Sequence, residues 1–458
     1  MGASPLDEHR DRNARGGVAA AASLREAGVE YVYFQPVSIG GRVLAKLVPL
    51  AHFERIAERG VQFHGSATAD LISDRHGTLL GAGPDAGEFV ALPDLDTLAV
   101  LPWDGTFARA FCRLYRRGDA VELAGEPLPT DPRGHLARVH EAFTARTGLA
   151  LRSGCEPEMT WLGESIEVKA RPNMSPAYNA GALDTMRPVA KRVIEYCRAL
   201  GLDMVEGDYE DTSQLELNFM FGDCLATADR LTTYRQVCVQ VARELGVTAT
   251  FMPKPFPGVM GNGCHHNLSL WRTDENTFLE PGRRELHLSD TARHALGGIL
   301  EHTAAMTAIM APTVNSYARY WDAGLFAPAL ANWGFDNRSC AVRVSASGRL
   351  EFKVPDAAVN PYLSHAVLLA AIEDGLTLRI DPGEPESGSS YDTAEARFGA
   401  LPRTLGQALE LLRGDPVVCG ALPSELLDVF LAVKDDEWAL ACAAVTDWHR
   451  DMYLNVVP

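Results

Sequence analysis

Asn337-Arg338-Ser339-Cys340-Ala341-Val342-Arg343, then Arg349-Leu350-Glu351-Phe352-Lys353, then Asn360-Pro361-Tyr362-Leu363 make up the stretch on which the reading of this chain turns. From Leu350 to Val354 apolar and charged residues alternate, which is the period of a half-buried strand. Glu351 and Lys353 then share one face, with Leu350, Phe352 and Val354 on the other. Four cations (Arg338, Arg343, Arg349 and Lys353) surround one carboxylate. A fixed cationic surface with an acid at its middle suits a polyphosphate and the metal that escorts it. A solvated sheet face whose charges pair with one another is the equal alternative from this stretch alone.

Outward from there, the bounds are those of an ordinary globular protein. The chain has 458 residues, 47% hydrophobic and 22% charged, enough for two or three domains with large cores. Its net charge of -18 disfavours nucleic acid and anionic membrane as partners. Nine cysteines are scattered with no C-x-x-C pair, as expected of reduced thiols. No apolar leader is visible, and the most apolar helical run, Gly297–Ala311, contains Glu301 and His302. The expected location is the cytoplasm.

Residues 1–17 are polar and charged and read as a flexible N-terminal arm. Residues 18–117 read as a small α+β domain. It has a short helix over Ala19–Ala27, strands at Tyr31–Phe34 and Val43–Val48 around a hairpin signal, a helix over Phe53–Gly60, a loop at Phe63–Ser66, and strands at Thr97–Pro102 and Ala108–Tyr115. Residues 118–133, rich in Gly, Pro and Asp, read as a linker that launches a helix over Leu136–Thr147. Residues 134–458 alternate strands and helices, as in a large mixed α/β domain, and end in amphipathic helices from Thr404.

The chemistry-bearing residues are dispersed along this second domain. Glu156 and Glu158 sit two apart on one strand, so both carboxylates share a face. Gln214, Glu216 and Asn218 share the polar face of another strand, which Glu210 and Asp211 precede. Lys254-Pro255-Phe256 opens a glycine-rich loop through Gly258, Gly261 and Gly263. The strand after it carries His265, Asn267 and Ser269 on one face. If Glu156, Glu158, Glu210, Glu216 and Glu351 converge, pairs ~5 Å apart at an effective dielectric of ~20 repel by roughly 3 kcal/mol each. Such a set stays ionised only with cations present, and oxygen ligands plus one imidazole suit Mg²⁺ or Mn²⁺ better than zinc.

In order and residue type, these motifs resemble the glutamine synthetase family. The resemblance is carried by Gly154-x-Glu156-x-Glu158, Glu210…Gln214-x-Glu216, Gly261-x-Gly263-x-His265-x-x-x-Ser269, Asn315-Ser316-Tyr317-x-Arg319, Asn337-Arg338, Arg349-x-Glu351 and Asn360-Pro361-Tyr362. It implies an α+β chain with a β-grasp-like N-terminal domain, followed by a glutamine-synthetase-type catalytic α/β domain. It also implies a homo-oligomeric ring, hexamer or dodecamer, using ATP and two or more divalent ions per site. By position, Glu158, Glu210 and Glu216 would hold one ion, and Glu156, His265 and Glu351 the other. Asn267, Ser269 and Arg349 would lie along ATP, and Arg338 and Arg343 would stabilise the transferring phosphoryl group. Arg319, with Gly261, Lys353 and Phe326 near it, would contact the carboxylate and amine substrates.

The departures from the family pattern point to an unusual amine. Phe326 precedes Ala327-Pro328, where the resemblance implies a glutamate that takes the ammonium proton. Met260 and Lys353 also depart, and lysine lacks arginine's bidentate fork. The expected activity is formation of a γ-glutamyl amide of an organic amine through an acyl phosphate. Ordinary glutamine synthesis (with Asp211 or Asp322 serving in place of the missing acid), ligation of a different acid, and a non-catalytic role are the alternatives.

Overall fold

The computed structural model describes residues 3–119, 123–168, 175–321 and 326–456, with only the backbone of Arg284 and Glu285. Its first element corrects the sequence expectation. Residues expected to form a loose arm belong to a helix over Pro5–Glu26, with Pro5 at its start and the Ser4 hydroxyl accepting from the Asp7 N–H at 3.2 Å. Leu6, His9, Asn13, Ala21 and Leu24 form its buried stripe. Asn13 Nδ2 donates to the carbonyls of Ala57 (2.9 Å) and Pro93 (3.0 Å), which ties the helix to the domain behind it. The polar composition that suggested disorder is the solvent face of this helix.

Six strands follow: β1 (Tyr31–Gln35), β2 (Lys46–Pro49), β3 (Val61–His64), β4 (Glu88–Pro93), β5 (Ala99–Leu101) and β6 (Asp104–Arg116). They form one sheet in the order β2-β1-β6-β4-β3, with β5 added on β6. β1 runs antiparallel to β2 and parallel to β6, a β-grasp-like arrangement. Two local expectations fail. Phe63, expected in a loop, lies on β3 opposite Phe89 of β4. β4 itself had no counterpart in the sequence reading, because Phe89–Pro93 is buried continuously and shows no alternation.

β6 ends at Arg116 and the next helix spans Pro132–Thr147. The junction is pinned by buried charge. Asp131 Oδ1 caps that helix at the Gly134 N–H (3.0 Å), while its Oδ2 accepts from the Leu114 N–H of β6 (2.9 Å). Arg133 is 2% exposed and bridges Asp94 of the first sheet to Asp229 of the second domain.

The second part of the chain contains β7 (Ala150–Leu162), β8 (Met204–Tyr209), β9 (Gln214–Phe219), β10 (Gly222–Asp223), β11 (Thr248–Thr250), β12 (Cys264–Arg272), β13 (Glu275–Asn276), β14 (Trp333–Phe335), β15 (Val342–Val344) and β16 (Leu350–Phe352). Among the described residues their backbone order is β14-β15-β16-β12-β7-β9-β8. Helices over Arg187–Ala199 and Cys224–Leu245 cover one part of this sheet, burying Val193, Leu231 and Val237 against Met159, Trp161 and Leu217. Helices over Asp290–Met310 and Pro361–Leu378 form the other core. They cross where glycine is obligatory. A Cβ on Gly298 would overlap the Ala371 carbonyl and lie 2.7 Å from the Gly375 Cα. Burial of the helices on one face leaves the opposite face of β7, β9, β12 and β16 to carry polar groups. No described helix is long and apolar enough to cross a membrane.

Candidate active site

Strand register assembles the acidic residues. His265 on β12 lies directly opposite Glu156 on β7, and Asn267 lies opposite both Gly154 on β7 and Glu351 on β16. On the other edge of β7, Glu158 lies opposite Glu216 of β9, and Glu216 lies opposite Asp208 of β8. Side chains at facing positions share a sheet face. Five residues far apart in sequence (Glu156, Glu158, Glu216, His265 and Glu351) thus meet because four strands are neighbours.

The geometry divides into two groups. In the first, one ligating atom from each of Glu156, His265 and Glu351 lies within 4.8 Å of the others. His265 Nδ1 is 3.1 Å from Glu156 Oε2 and 3.7 Å from Glu351 Oε1. Burial opposes ionisation of Glu156, but the His265 ring, Asn267 Nδ2 (2.8 Å from Oε1) and the charge of Arg349 outweigh it and hold its carboxyl at about 2.

In the second group, Asp208, Glu210 and Glu216 have ligating oxygens within 4.8 Å of one another. Asp208 was missed in the sequence reading. Its only signal was its place two residues after Glu206 on a strand that runs beside β9. Burial pushes the Glu216 carboxyl well above the usual range, and the charges of Glu156 and Glu158 add to that. Burial likewise lifts Glu210 to about 8, helped by Glu158 and Asp208 and opposed by Arg338. Glu158 stands between the groups. Its Oε2 accepts from the Gly263 N–H (2.6 Å) and Gln214 Nε2 (3.2 Å), while its Oε1 is 3.7 Å from His265 Nε2.

This is an arrangement short of positive charge. Carboxyls pushed upward by burial and by one another, a buried Asp208 Oδ1 and Asn267 Oδ1 without hydrogen-bond partners, and a single imidazole together fit hard divalent cations. The solvated-face alternative for Glu351 and Lys353 fails, since both are 2% exposed. Arg343 Nη1 donates to Glu351 Oε2 at 3.0 Å and its remaining nitrogens engage Asp336. Lys353 is drawn below its ordinary range by burial, against the attraction of Glu351 and Glu158.

The other candidate residues fall around this cluster. Asn267, Ser269 and Arg349 line one cleft of about 300 Å³ together with Glu156, Phe221 and Trp271. Phe221 and Trp271 are stacked, with ring centroids 6.0 Å apart, and the Arg152 guanidinium lies 4.3 Å above Trp271. Arg319 is 4% exposed and packs against Gly261, where a Cβ would overlap its side chain. Asp211 is committed locally: Oδ2 accepts from the Met260 N–H (2.6 Å) and Oδ1 from the Thr212 N–H (2.7 Å). Phe326 is 47% exposed with φ 59°, and Asp322 lies outside the described residues.

Residues 129–453 match the family described as glutamine synthetase, catalytic domain. A glutamate–methylamine ligase of Methyloversatilis universalis is 34% identical over 451 residues, spanning 94% of this chain and 98% of its own. A glutamine synthetase of Rhizobium meliloti is 33% identical over 447 residues, spanning 94% of this chain and 98% of its own. Among solved structures, a GmaS complex with ADP is 33% identical with a TM-score of 0.85, covering 95% of this chain and 99% of that one.

Proposed function

The chain belongs to the glutamine synthetase family of ATP-dependent carbon–nitrogen ligases, and from that premise we propose that it joins the γ-carboxylate of glutamate to an organic amine. The observation that carries this reading is the convergence of Glu156, Glu158, Glu216, His265 and Glu351 on adjacent strands beside the cleft lined by Asn267, Ser269 and Arg349.

In the proposed reaction a carboxylate oxygen attacks the γ-phosphorus of ATP. The bond to the β–γ bridging oxygen breaks, giving an acyl phosphate and ADP. The amine nitrogen then attacks the acyl carbon, loses a proton, and inorganic phosphate departs. In this reading Arg343 and Arg338 stabilise charge growing on the phosphoryl oxygens. Asn267, Ser269 and Arg349 orient the nucleotide along β12. Arg319, held against the glycine loop at Gly261, receives the α-carboxylate, and Lys353 adds a cation for the substrate. Two or more ions, Mg²⁺ or Mn²⁺, would be held by Glu156, His265 and Glu351 and by Glu158, Glu210 and Glu216. When bound they would neutralise phosphate charge.

An organic amine is favoured over ammonium by Phe326, an aromatic where a carboxylate would serve a small cation. The engagement of both Asp211 oxygens by backbone N–H groups also removes one acid that could replace it. Similarity to a glutamate–methylamine ligase supports the same class. The test is phosphate release with ATP and glutamate across methylamine, ethanolamine, a polyamine and ammonium. Turnover is expected to favour an organic amine, and brisk glutamine formation from ammonium would overturn the proposal. A ring of six or twelve subunits is part of this reading, supported by the exposed Trp448, Tyr453 and Leu454 near the C-terminus. Light scattering of the purified protein tests it.

A further inference from the structure

We propose that two histidines buried beneath the acidic cleft, His266 and His365, are positioning residues that set the placement of Glu156 and His265, a role that rests on the reading of Glu156, His265 and Glu351 as an ion site. Ser153 and Cys155 on β7 and His266 on β12 alternate with the acidic-face residues, so they point to the opposite side of the sheet. There they meet the first turn of the helix over Pro361–Leu378, which carries Ser364 and His365.

These side chains form one hydrogen-bonded network. The Ser153 hydroxyl donates to His365 Nε2 at 2.8 Å, and Ser364 Oγ lies 2.9 Å from His266 Nε2 and 3.1 Å from the Pro361 carbonyl. His365 Nδ1 donates to the Pro361 carbonyl at 2.6 Å, and His266 Nδ1 to the Cys264 carbonyl at 2.9 Å. A carbonyl can only accept, so each Nδ1 carries the proton and each Nε2 is free to accept. The two rings are stacked, with centroids 4.8 Å apart. Ser153, His266, Ser364 and His365 are all buried. Ligand atoms of Cys155, His266 and His365 also fall within 4.8 Å of one another, but the ring nitrogens are already engaged, so the group is a network and not an ion site.

The network constrains geometry more than apolar packing would. A buried polar group left unpaired costs about 1–3 kcal/mol, so these bonds hold only while β7, β12 and the helix keep one mutual placement. Cys155 immediately precedes Glu156 and His266 immediately follows His265. The placement that satisfies the network on one face therefore fixes, on the other, the strand positions from which His265 Nδ1 comes within 3.1 Å of Glu156 Oε2. Groups that orient metal ligands from behind tune affinity strongly.

The test is Mn²⁺ binding to the full-length protein without ATP, followed by electron paramagnetic resonance well below the unfolding transition. Ser153→Ala and His365→Phe are each expected to weaken binding by ~10-fold or more. The double variant should be no worse than the weaker single one, because both remove the same bond. His365→Gln, whose side-chain oxygen can still accept from Ser153, should recover most of the affinity. A purely structural role predicts lower melting temperatures with unchanged Mn²⁺ affinity, and that result would overturn the proposal, as would additive losses or no recovery in His365→Gln. If His365→Phe fails to fold, Ser153→Ala decides. Wild-type protein that binds no Mn²⁺ would remove the ion site itself and this role with it, whereas equal binding by wild type and variants would remove only the role.

Discussion

His265 Nδ1 lies 3.1 Å from Glu156 Oε2 because the two residues face each other across β12 and β7. Glu351 completes the triad from the far side of β12, with its Oε1 3.7 Å from the same ring nitrogen. Replacing Glu351 by alanine removes one proposed ligand and leaves Arg343 without its buried partner. ATP turnover is expected to fall by at least ~100-fold. Manganese affinity, followed by electron paramagnetic resonance, should fall with it. Near-normal turnover and affinity in that variant would refute the ligand assignment.

Removing the metal should make stability unusually sensitive to pH. Burial and neighbouring acids raise the folded Glu210 carboxyl to about 8, above its unfolded range. Between those two values the folded state binds more protons than the unfolded state, so stability decreases as pH rises. Protein stripped with a chelator is expected to lose melting temperature from pH 5 to about 8, and Mg²⁺ or Mn²⁺ should restore it most at the alkaline end. A melting temperature of the stripped protein that is flat across this range would contradict the proposed convergence.

His302 offers a pH test away from the active site. Burial lowers its pKa, but hydrogen bonds to Asp415 (2.7 Å) and Asp374 (3.2 Å) outweigh that and raise it. A histidine with a raised folded pKa contributes stability that is complete below its unfolded pKa and lost as pH rises through the folded one. His302→Gln is therefore expected to cost about 1–2 kcal/mol near pH 6, with the difference shrinking toward pH 9. Urea titrations of both proteins at several pH values measure this directly, and an equal cost at both ends of the range would count against a charged His302.

Gly298→Ala should be among the most damaging single-methyl additions in the chain. The new Cβ would overlap the Ala371 carbonyl where the two core helices cross. Backbone cannot yield there without separating the helices, so a loss of about 3 kcal/mol is expected. Circular dichroism melts against wild type provide the check, and a shift of only a degree or two would show that the crossing is looser than described.

Phe326→Glu should move amine preference toward ammonium. A carboxylate in place of the ring would attract a small cation and take its proton. The ratio of kcat/KM for ammonium to that for methylamine is expected to rise roughly tenfold or more. An unchanged ratio would mean that Phe326 does not face the amine.

Part of the fold was legible because some strands advertise their period. Leu215, Leu217 and Phe219 alternate with Gln214, Glu216 and Asn218, and the structure places that segment on β9. Of the helix over Pro5–Glu26 only the end, from Ala19, was expected; its first part was missed because Gly16 and Gly17 and a dense run of charges concealed a stripe spaced at three and four residues. Asp208 was missed for another reason. Its role depends on β8 lying beside β9, and no local pattern encodes which strands become neighbours.

The order of short motifs along the chain was enough, before any coordinates, to determine the family, the type of reaction and a set of acids and one histidine able to hold cations. Tertiary structure alone decided which of these touch, that Glu158 bridges two groups, and that Asp211 is spent on the Met260 backbone. The physical reason is that residue type sets what a group can bind, whereas strand pairing and burial set its neighbours, and its neighbours set its charge.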